Sequence, residues 1–284
     1  MKLAALYCVK NEEEFLPLSV ASVSPFVDEV VIINNRSTDR TMELAKSIPH
    51  HKVKLVDIDS DFDEKCEYNM RNESLKHVSD DIDWLVVLDA DQLLSDGWRN
   101  EIATMLEKPT AQAVGIRYDH LVGSYNHMDL GLYNKQANQK ADPVWIFFKR
   151  TPHLQCRPAA EVCNWAKPQH HASFERSCTG GLSKHTSVGL FHYGFAKRNM
   201  MEMSLYRIHR GDYGHEDSIK AEKSKELLES GNPFKFVGPV KEVGYLPKQV
   251  PSVIRPMLGK YKLELDEQGH ILKRTIAATG ELAQ

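Results

Sequence analysis

Residues 84–91 read Trp-Leu-Val-Val-Leu-Asp-Ala-Asp, an unbroken apolar run followed by two aspartates. Such a run is typical of a strand that is buried on both faces, as in the centre of a parallel sheet. Side chains alternate along a strand, so a period of two puts Asp89 and Asp91 on the same side. Ligands of open α/β sheets bind beyond the carboxyl ends of the strands. The stretch therefore predicts a buried strand whose end presents two carboxylates to a ligand.

The sequence before this strand alternates between short β-rich runs and segments of helical periodicity. The predicted strands and helices are, in order, residues 3–9, 12–24, 29–33, 38–47, 52–58 and 65–78. Parallel strands need crossover connections, which the intervening helices provide, and a sheet of this kind is covered on both faces. We therefore expect an α/β fold with a mostly parallel, nucleotide-binding sheet in the first part of the chain.

The pattern changes beyond Pro109. Here the predicted elements are strands at 113–118 and 145–149, long loops at 151–187, helices at 198–210 and 218–229, and a hairpin of 261–265 with 271–276. The second of these helices stops at Gly-Asn-Pro, residues 231–233, a strong termination signal. We expect one main domain at residues 1–212 and a C-terminal extension, built from a helix and the hairpin, at residues 213–284.

Charge and cysteine usage disfavour several classes of protein. The 284 residues carry a formal charge of −3, without the basic surplus that nucleic-acid-binding proteins use on phosphates. No stretch approaches the apolar length of a membrane span, about 18 residues, and the N-terminal apolar run reaches Lys10 too soon for a signal peptide. The five cysteines are scattered, without a Cys-x-x-Cys, which disfavours a disulfide framework or a compact zinc module. These features predict a soluble protein of a reducing cytoplasm.

The acidic pair suits a divalent cation. Adjacent carboxylates repel each other and resist burial, so their natural partner is a hard cation that also takes oxygens from a diphosphate. Mn²⁺ or Mg²⁺ would stabilise a departing nucleoside diphosphate as a Lewis acid. An EF-hand is excluded because Leu93 and Leu94 stand where an oxygen ligand and a glycine belong. The structural alternative is that Asp89 ends the strand and Asp91 starts a turn.

Three upstream segments share their order and spacing with a known enzyme family. They read Leu-Tyr-Cys-Val-Lys-Asn-Glu-Glu at 6–13, Val-Asp-Glu-Val-Val-Ile at 27–32 and Ser-Thr-Asp-Arg-Thr at 37–41. With the acidic pair, these segments resemble the family 2 glycosyltransferases of GT-A fold. The resemblance implies inverting, metal-dependent transfer of a sugar from a nucleotide diphosphate sugar, with a UDP-sugar as the expected donor. It also implies a nucleotide-sugar-binding half at residues 1–110 and an acceptor half at residues 111–212.

The resemblance further implies roles for residues at the ends of the first two strands. Val9 and Asn11 match the nucleoside pocket of the family, and Asp39 matches the residue that reads the base edge. Asn35 stands near a position where the family usually carries an aspartate, and an amide still accepts a hydrogen bond from ribose or base. The structural alternative is that Ser37 or Asp39 caps the following helix.

Further donor and metal contacts are implied around the acidic pair. Asp89 and Ala90 match nucleotide-sugar-binding positions, and Asp89 and Asp91 match metal ligands. Arg71 matches an arginine that lies against the nucleotide, where a guanidinium suits a phosphate or a base face; a surface arginine on a helix is the alternative. His192 matches a third, imidazole ligand of the metal, and a core histidine is its alternative.

The acceptor side of the sequence is less specific. Inverting transfer needs a carboxylate or an imidazole near the acceptor hydroxyl to take its proton. Glu161 stands in the region where similar enzymes place this base, and His170 and His171 are competitors. The acceptor is unidentified, and the missing membrane segment favours a saccharide, a protein or a modified nucleobase. The C-terminal prolines and the hairpin are candidates for contacts in a homo-oligomer, for acceptor capture or for bracing.

Two other functions fit parts of the sequence. A nucleotidyltransferase shares the α/β sheet and metal-bound carboxylates, but its Gly-rich triphosphate loop is missing, since residues 9–12 contain no glycine. A non-catalytic protein that binds a saccharide or a partner would instead hold a structural zinc, although the spacing fits no standard zinc pattern. Its candidate zinc ligands are His153, Cys156, Cys163, His170, His171, Cys178 and His185.

Overall fold

The computed structural model describes residues 1–49, 52–59, 66–129, 144–158, 172–174, 182–210, 214, 216–242 and 251–277. The chain forms two compact units. The first consists of Met1–Tyr118 and Pro143–Leu190, and the second of Asp119–Asp142 and Phe191–Gln284. Two of the boundaries between the units, after Tyr118 and after Leu190, fall inside long strands.

The secondary structure follows in chain order. The strands are β1 (Leu3–Val9), β2 (Glu29–Asn35), β3 (Val53–Ile58), β4 (Trp84–Leu88), β5 (Gln92–Leu94), β6 (Ala113–Val122), β7 (His127–Asp129), β8 (Val144–Lys149), β9 (Cys156–Pro158), β10 (Ala172–Phe174), β11 (Leu182–Phe195), β12 (Val240–Glu242), β13 (Tyr261–Leu265) and β14 (Ile271–Ile276). The α-helices are α1 (Leu16–Val23), α2 (Thr41–Ser47), α3 (Cys66–Lys76), α4 (Trp98–Leu106), α5 (Met200–Arg210) and α6 (Asp217–Ser230). Within the described ranges, none of these helices combines the length and the apolarity needed to cross a bilayer.

The parallel strands β1 to β4 form the centre of the sheet in the first unit. β1 lies between β4 and β2, and β3 borders β2. The register pairs Leu3 with Trp84 at one end of β1 and Val9 with Asn34 at the other. β8 joins β4 in antiparallel orientation, and β6 joins β8 in the same way. The mostly parallel sheet with helical crossovers confirms the predicted fold class.

Alternate residues of β1 enter two separate apolar clusters. Leu3, Ala5 and Tyr7 belong to one cluster, whereas Ala4 and Leu6 belong to the other. All five side chains are at most 1% exposed. Both faces of the strand are therefore covered, and burial of each large apolar side chain contributes about 1.5–3 kcal/mol. Polar side chains that can meet a ligand are consequently concentrated where the central strands end.

Some elements differ from the sequence-based expectation. Helix α4 was not predicted; it follows Gly97, whose φ of 74° lies in the left-handed region that glycine adopts readily. The prediction of loops throughout residues 151–187 is wrong, because β9, β10 and the first part of β11 lie there. β11 pairs with β5 and β6, so strands distant in sequence stabilise it without a clear local alternation signal.

The second unit has a small core of its own. Its buried apolar residues are Val122, Phe195, Met200, Phe234, Val240 and Ile271. The predicted hairpin is confirmed, since β13 and β14 pair along their length, and α6 ends at Gly231 with φ 62°. The Arg274 guanidinium stacks 4.4 Å from the Tyr261 ring centroid and donates to the Lys197 carbonyl at 2.8 Å. This side chain therefore fastens the hairpin to the rest of the unit.

Candidate functional site

The loops that follow β1 and β2 are joined by hydrogen bonds. The Asn11 N–H donates to Ser37 Oγ at 2.9 Å, and the Thr38 N–H donates to Asn11 Oδ1 at 2.8 Å. Asn11 adopts φ 56°, a left-handed conformation that asparagine tolerates better than most residues. The two residues predicted for the nucleoside pocket thus lie at the carboxyl end of β1, with Val9 buried and Asn11 exposed.

Asp39 connects the same pair of loops. Its Oδ2 accepts a hydrogen bond from the Glu13 N–H at 3.1 Å, and its Oδ1 accepts one from the Thr41 N–H at 2.9 Å. The second bond satisfies an N–H at the start of α2 that has no partner within the helix, which is the structural role offered by the sequence. Oδ1 also accepts from the Thr41 hydroxyl, whereas Oδ2 keeps a further lone pair. Base recognition by the half-buried Asp39 stays a prediction.

The two asparagines at the end of β2 lie inside the first unit. Asn35 is 0% exposed and Asn34 is 4% exposed. Asn34 Nδ2 donates to Asp57 Oδ1 at 2.7 Å, across the pairing of β2 with β3. The sequence predicts a nucleotide contact for Asn35, whereas its side chain is shielded from solvent in this structure. A contact between Asn35 and a nucleotide would therefore require a local rearrangement.

Asp89, Ala90 and Asp91 lie in a turn rather than on a strand. β4 ends at Leu88, and the Gln92 N–H donates to the Asp89 carbonyl at 3.0 Å. The prediction that strand alternation orients both carboxylates is therefore wrong, because the strand ends before them. The turn gives the two carboxylates different surroundings, since the Asp89 side chain is 50% exposed and Asp91 is 8% exposed. Ala90 between them is buried.

Arg71 reaches this turn from α3. Its Nη2 donates to Asp89 Oδ1 at 2.8 Å, and its side chain is 9% exposed. The alternative of a surface arginine is therefore wrong. The neighbouring Asn72 fixes α3 to β9, because its side chain donates to the Cys156 carbonyl at 2.9 Å and accepts from the Cys156 N–H at 2.7 Å. A firmly placed guanidinium beside two carboxylates can bind a phosphate or a base face.

Gln92 is a residue of this turn that the sequence analysis missed. Its Nε2 donates to Asp89 Oδ2 at 2.9 Å, and its Oε1 accepts from the Asp89 N–H at 3.0 Å. The residue is 7% exposed. The sequence feature that could have predicted this contact is the position of Gln92 three residues after Asp89. From there, a long amide side chain can reach back to the start of the turn.

The turn carries donors that fit a hard divalent cation shared with a ligand. Asp91 offers carboxylate oxygens, and Asp89 keeps lone pairs beyond those that accept from Arg71 and Gln92. Within the residues that the structure describes, no three His, Cys, Asp or Glu side chains gather to hold a metal ion by themselves. Mg²⁺ is usually bound through one or two carboxylates, with phosphates and waters in the remaining positions. The donor set therefore suits a cation that binds together with a diphosphate.

His192 belongs to the second unit and pairs with another histidine. Its Nδ1 lies 2.8 Å from Nδ1 of His120, and the two rings meet edge to face with centroids 4.8 Å apart. One ring donates and the other accepts in such a bond. His120 is 6% exposed, whereas His192 is partly exposed. Metal ligation by His192 stays a prediction.

The predicted catalytic bases Glu161, His170 and His171 lie outside the described residues, so their roles also stay predictions. Of the candidate zinc ligands, His153 and Cys156 have described side chains, the first exposed and the second buried.

Comparison with known proteins decides the family. The profile of the family described as Glycosyl transferase family 2 matches residues 5–160, which is more than half of the chain. This chain belongs to glycosyl transferase family 2. The matched range contains the Asn11 and Asp39 loops, Arg71 and the acidic turn. Membership of glycosyl transferase family 2 favours the glycosyltransferase hypothesis over the nucleotidyltransferase and zinc-protein alternatives.

Individual relatives of this family 2 chain cover it only in part. A TPR repeat-containing protein of Synechococcus elongatus is 34% identical over 106 residues, which are 37% of this chain and 24% of that protein. The glucosyl-3-phosphoglycerate synthase of Mycobacterium tuberculosis, solved with Mn²⁺, uridine diphosphate and phosphoglyceric acid, is 20% identical with a TM-score of 0.32, over 41% of this chain and 43% of its own. TarS 1–349 of S. aureus, solved with UDP-GlcNAc, is 14% identical with a TM-score of 0.42, over 80% of this chain and 72% of its own. The chain thus spans less than half the length of the first two relatives.

Proposed function

We propose that this chain is an inverting, metal-dependent glycosyltransferase that moves a sugar from a UDP-sugar to a hydroxyl group of an acceptor. The observation that carries the proposal is the hydrogen bond from the buried Arg71 to Asp89, in a turn that also contains Asp91. A guanidinium binds phosphate directly, and carboxylates bind it through a cation. The turn follows the central strand β4, at the edge where open α/β sheets bind their ligands.

The nucleoside part of the donor would bind at the neighbouring strand ends. Val9 and Asn11 would line the pocket beyond β1, and Asp39 would accept a hydrogen bond from a base N–H. Membership of the family and the hydrogen-bonded connection between the Asn11 and Asp39 loops support this assignment. A connected pair of loops is pre-organised, which lowers the entropic cost of binding.

The diphosphate would bind with Mn²⁺ or Mg²⁺ at Asp91 and Asp89. A bound cation would neutralise the charge that develops on the departing nucleoside diphosphate. Arg71 holds the Asp89 carboxylate in place and adds a positive charge beside the turn. Ala90 has only a methyl group, so its backbone can lie close to a bound donor.

The reaction exchanges one bond at the anomeric carbon of the sugar. The acceptor oxygen forms a bond to that carbon from the face opposite the phosphate, and the bond to the phosphate oxygen breaks. The electron pair leaves with the nucleoside diphosphate, and the hydroxyl proton passes to Glu161, or to His170 or His171. Attack from the opposite face inverts the anomeric configuration. A saccharide, a protein or a modified nucleobase in the cytoplasm would supply the hydroxyl.

A thermal-shift panel of UDP, GDP, ADP and CDP, each with and without Mn²⁺, tests the donor half of this proposal. A ligand that binds the native state at 100 times its Kd adds about 2.7 kcal/mol to apparent stability. We expect a shift with UDP that requires Mn²⁺, and we expect Asp91→Asn to remove it. Asp80→Asn is the matched control, since that fully exposed carboxylate pairs with Arg150 at the surface.

Two results would overturn the proposal. One is the absence of a metal-dependent shift with every nucleotide of the panel. The other is an Asp91→Asn variant that binds UDP and Mn²⁺ as well as the Asp80→Asn control does. Where binding is found, release of UDP from UDP-sugars in the presence of candidate saccharide acceptors measures the transfer itself.

A further inference from the structure

We propose that Gln92 is a positioning residue of the donor site, which holds the Asp89 carboxylate in the orientation that the proposed site uses. The inference rests on the proposed function of the turn. The hydrogen bonds between Gln92 and Asp89 are present in the structure whatever ligand the turn binds.

Three hydrogen bonds join residues 89 and 92. The Gln92 N–H donates to the Asp89 carbonyl, the Asp89 N–H donates to Gln92 Oε1, and Gln92 Nε2 donates to Asp89 Oδ2. An amide side chain can accept from a backbone N–H with its oxygen and donate to a carboxylate with its nitrogen at the same time. A glutamate at position 92 would repel Asp89. A leucine there would neither accept from the Asp89 N–H nor donate to its carboxylate. The residue type is therefore matched to its task.

Both oxygens of Asp89 are held by different residues. Oδ1 accepts from Arg71 at 2.8 Å, and Oδ2 accepts from Gln92 at 2.9 Å. Rotation of the carboxylate about its last torsion would break both bonds, of which the one to the guanidinium is charge-assisted. The Asp89 carboxylate is thereby fixed between Arg71 and Gln92.

The turn is also anchored to the interior of the first unit through Gln92. Its backbone carbonyl accepts from Ser19 Oγ at 2.5 Å, and Ser19 Oγ lies 3.1 Å from the hydroxyl oxygen of Tyr7. Ser19 and Tyr7 are both 0% exposed. A continuous set of hydrogen bonds therefore leads from β1 and α1 through Gln92 to Asp89. The support from Ser19 uses the backbone of Gln92, so a side-chain variant keeps it and loses only the side-chain bonds to Asp89.

The test compares Mn²⁺-dependent UDP binding by calorimetry in the wild type and in variants at position 92. Residues that orient metal ligands typically change metal affinity by about 10- to 100-fold when they are replaced. We expect a loss in this range for Gln92→Leu and for Gln92→Glu. Gln112→Leu is the control, because this partly exposed glutamine lies before β6 in the same unit. Circular dichroism and the melting temperature establish that each variant is folded.

A charge swap separates positioning from a general structural role. In the Asp89→Asn, Gln92→Glu double variant, the new amide donates to the new carboxylate, so the hydrogen bonds re-form at unchanged net charge. Because the Asp89 carboxylate is a proposed ligand of the cation, the reference is Asp89→Asn, which lacks the same carboxylate. We expect the double variant to bind Mn²⁺ and UDP at least 5-fold more tightly than Asp89→Asn alone, a non-additivity of about 1 kcal/mol. If Gln92→Leu does not fold, the comparison of the double variant with Asp89→Asn carries the test.

The outcomes distinguish the inference from the function on which it rests. A wild-type chain that does not bind UDP with Mn²⁺ overturns the proposed function. A wild type that binds, with folded Gln92 variants that bind equally well, overturns only the positioning role. A double variant that binds no better than Asp89→Asn also overturns the positioning role, because restored hydrogen bonds would then have no effect.

Discussion

Replacement of Arg71 by methionine should weaken the donor site much more than it weakens the fold. The hydrogen bond from Arg71 to Asp89 spans 2.8 Å and ends on a carboxylate that is half exposed. A hydrogen bond to a charged group contributes about 1.5–3 kcal/mol, and the lower end applies because water can replace the guanidinium at Asp89. A loss of about 1.5 kcal/mol lowers the melting temperature of a domain of this size class by about 3–6 °C.

The effect of Arg71→Met on binding should be larger, because two contributions are lost together. On the proposed function, the guanidinium would no longer meet the diphosphate, and Asp89 would no longer be held on its Oδ1 side. We expect the Kd for UDP with Mn²⁺ to rise by about 10- to 100-fold, equivalent to about 1.4–2.8 kcal/mol. Isothermal titration calorimetry measures this Kd, and differential scanning calorimetry measures the melting temperature of the same samples.

Arg150→Met is the matched control for this experiment. Arg150 donates to the Ser79 carbonyl at 2.8 Å and pairs with Asp80, away from the acidic turn. This variant should lose stability to a similar degree and keep its affinity for UDP. The reasoning fails if Arg71→Met and Arg150→Met bind UDP equally well while both are folded, since the guanidinium would then serve the fold alone.

Three further predictions concern stability. Asn72→Ala should lower the free energy of unfolding by about 1–3 kcal/mol, measured with urea, because both hydrogen bonds to the Cys156 backbone are lost. Burial raises the pKa of the Tyr7 hydroxyl above its usual value of 10.0. The native state then keeps a proton that the unfolded state releases, so stability falls as the pH rises above that value. Tyr7→Phe should reduce this fall in stability, measured by melting curves from pH 9 to 11. Burial lowers the pKa of His127 below 6.5, although the charge of Glu242 acts in the opposite direction. As the pH falls, the unfolded state binds a proton at a higher pH than the native state does, so stability is lost below about pH 6.5. His127→Gln should reduce this loss of stability, measured between pH 7 and 5.

Each of these predictions has a result that contradicts it. For Asn72→Ala, an unfolding free energy within about 0.5 kcal/mol of the wild type, the range of ordinary surface substitutions, would show that water replaces both bonds. For Tyr7→Phe, an unchanged slope of stability with alkaline pH would mean that the hydroxyl ionises normally in the native state. For His127→Gln, an unchanged slope between pH 7 and 5 would assign the acid dependence to other groups.

The sequence alone determined the central sheet. β1 and β4 were predicted at their observed bounds, because a strand buried on both faces needs a continuous apolar run. The hairpin of β13 and β14 was predicted for an equally local reason, since two alternating strands flank a short turn. The Asn11, Asp39 and Arg71 positions followed from motifs, which are also local in sequence.

Tertiary structure decided which side chains meet at the carboxyl ends of these strands. The contact of Gln92 with Asp89 depends on a turn that replaces the expected strand geometry, and the contact of Arg71 depends on where α3 packs. The burial of Asn35 and the pairing of His120 with His192 depend on elements far apart in the sequence. The contact of Arg71, the burial of Asn35 and the histidine pair arise from packing between distant segments, whereas periodicity and capping signals report only on near neighbours. The contact of Gln92 with Asp89 is local, but it depends on a turn that the strand pattern of the sequence does not predict.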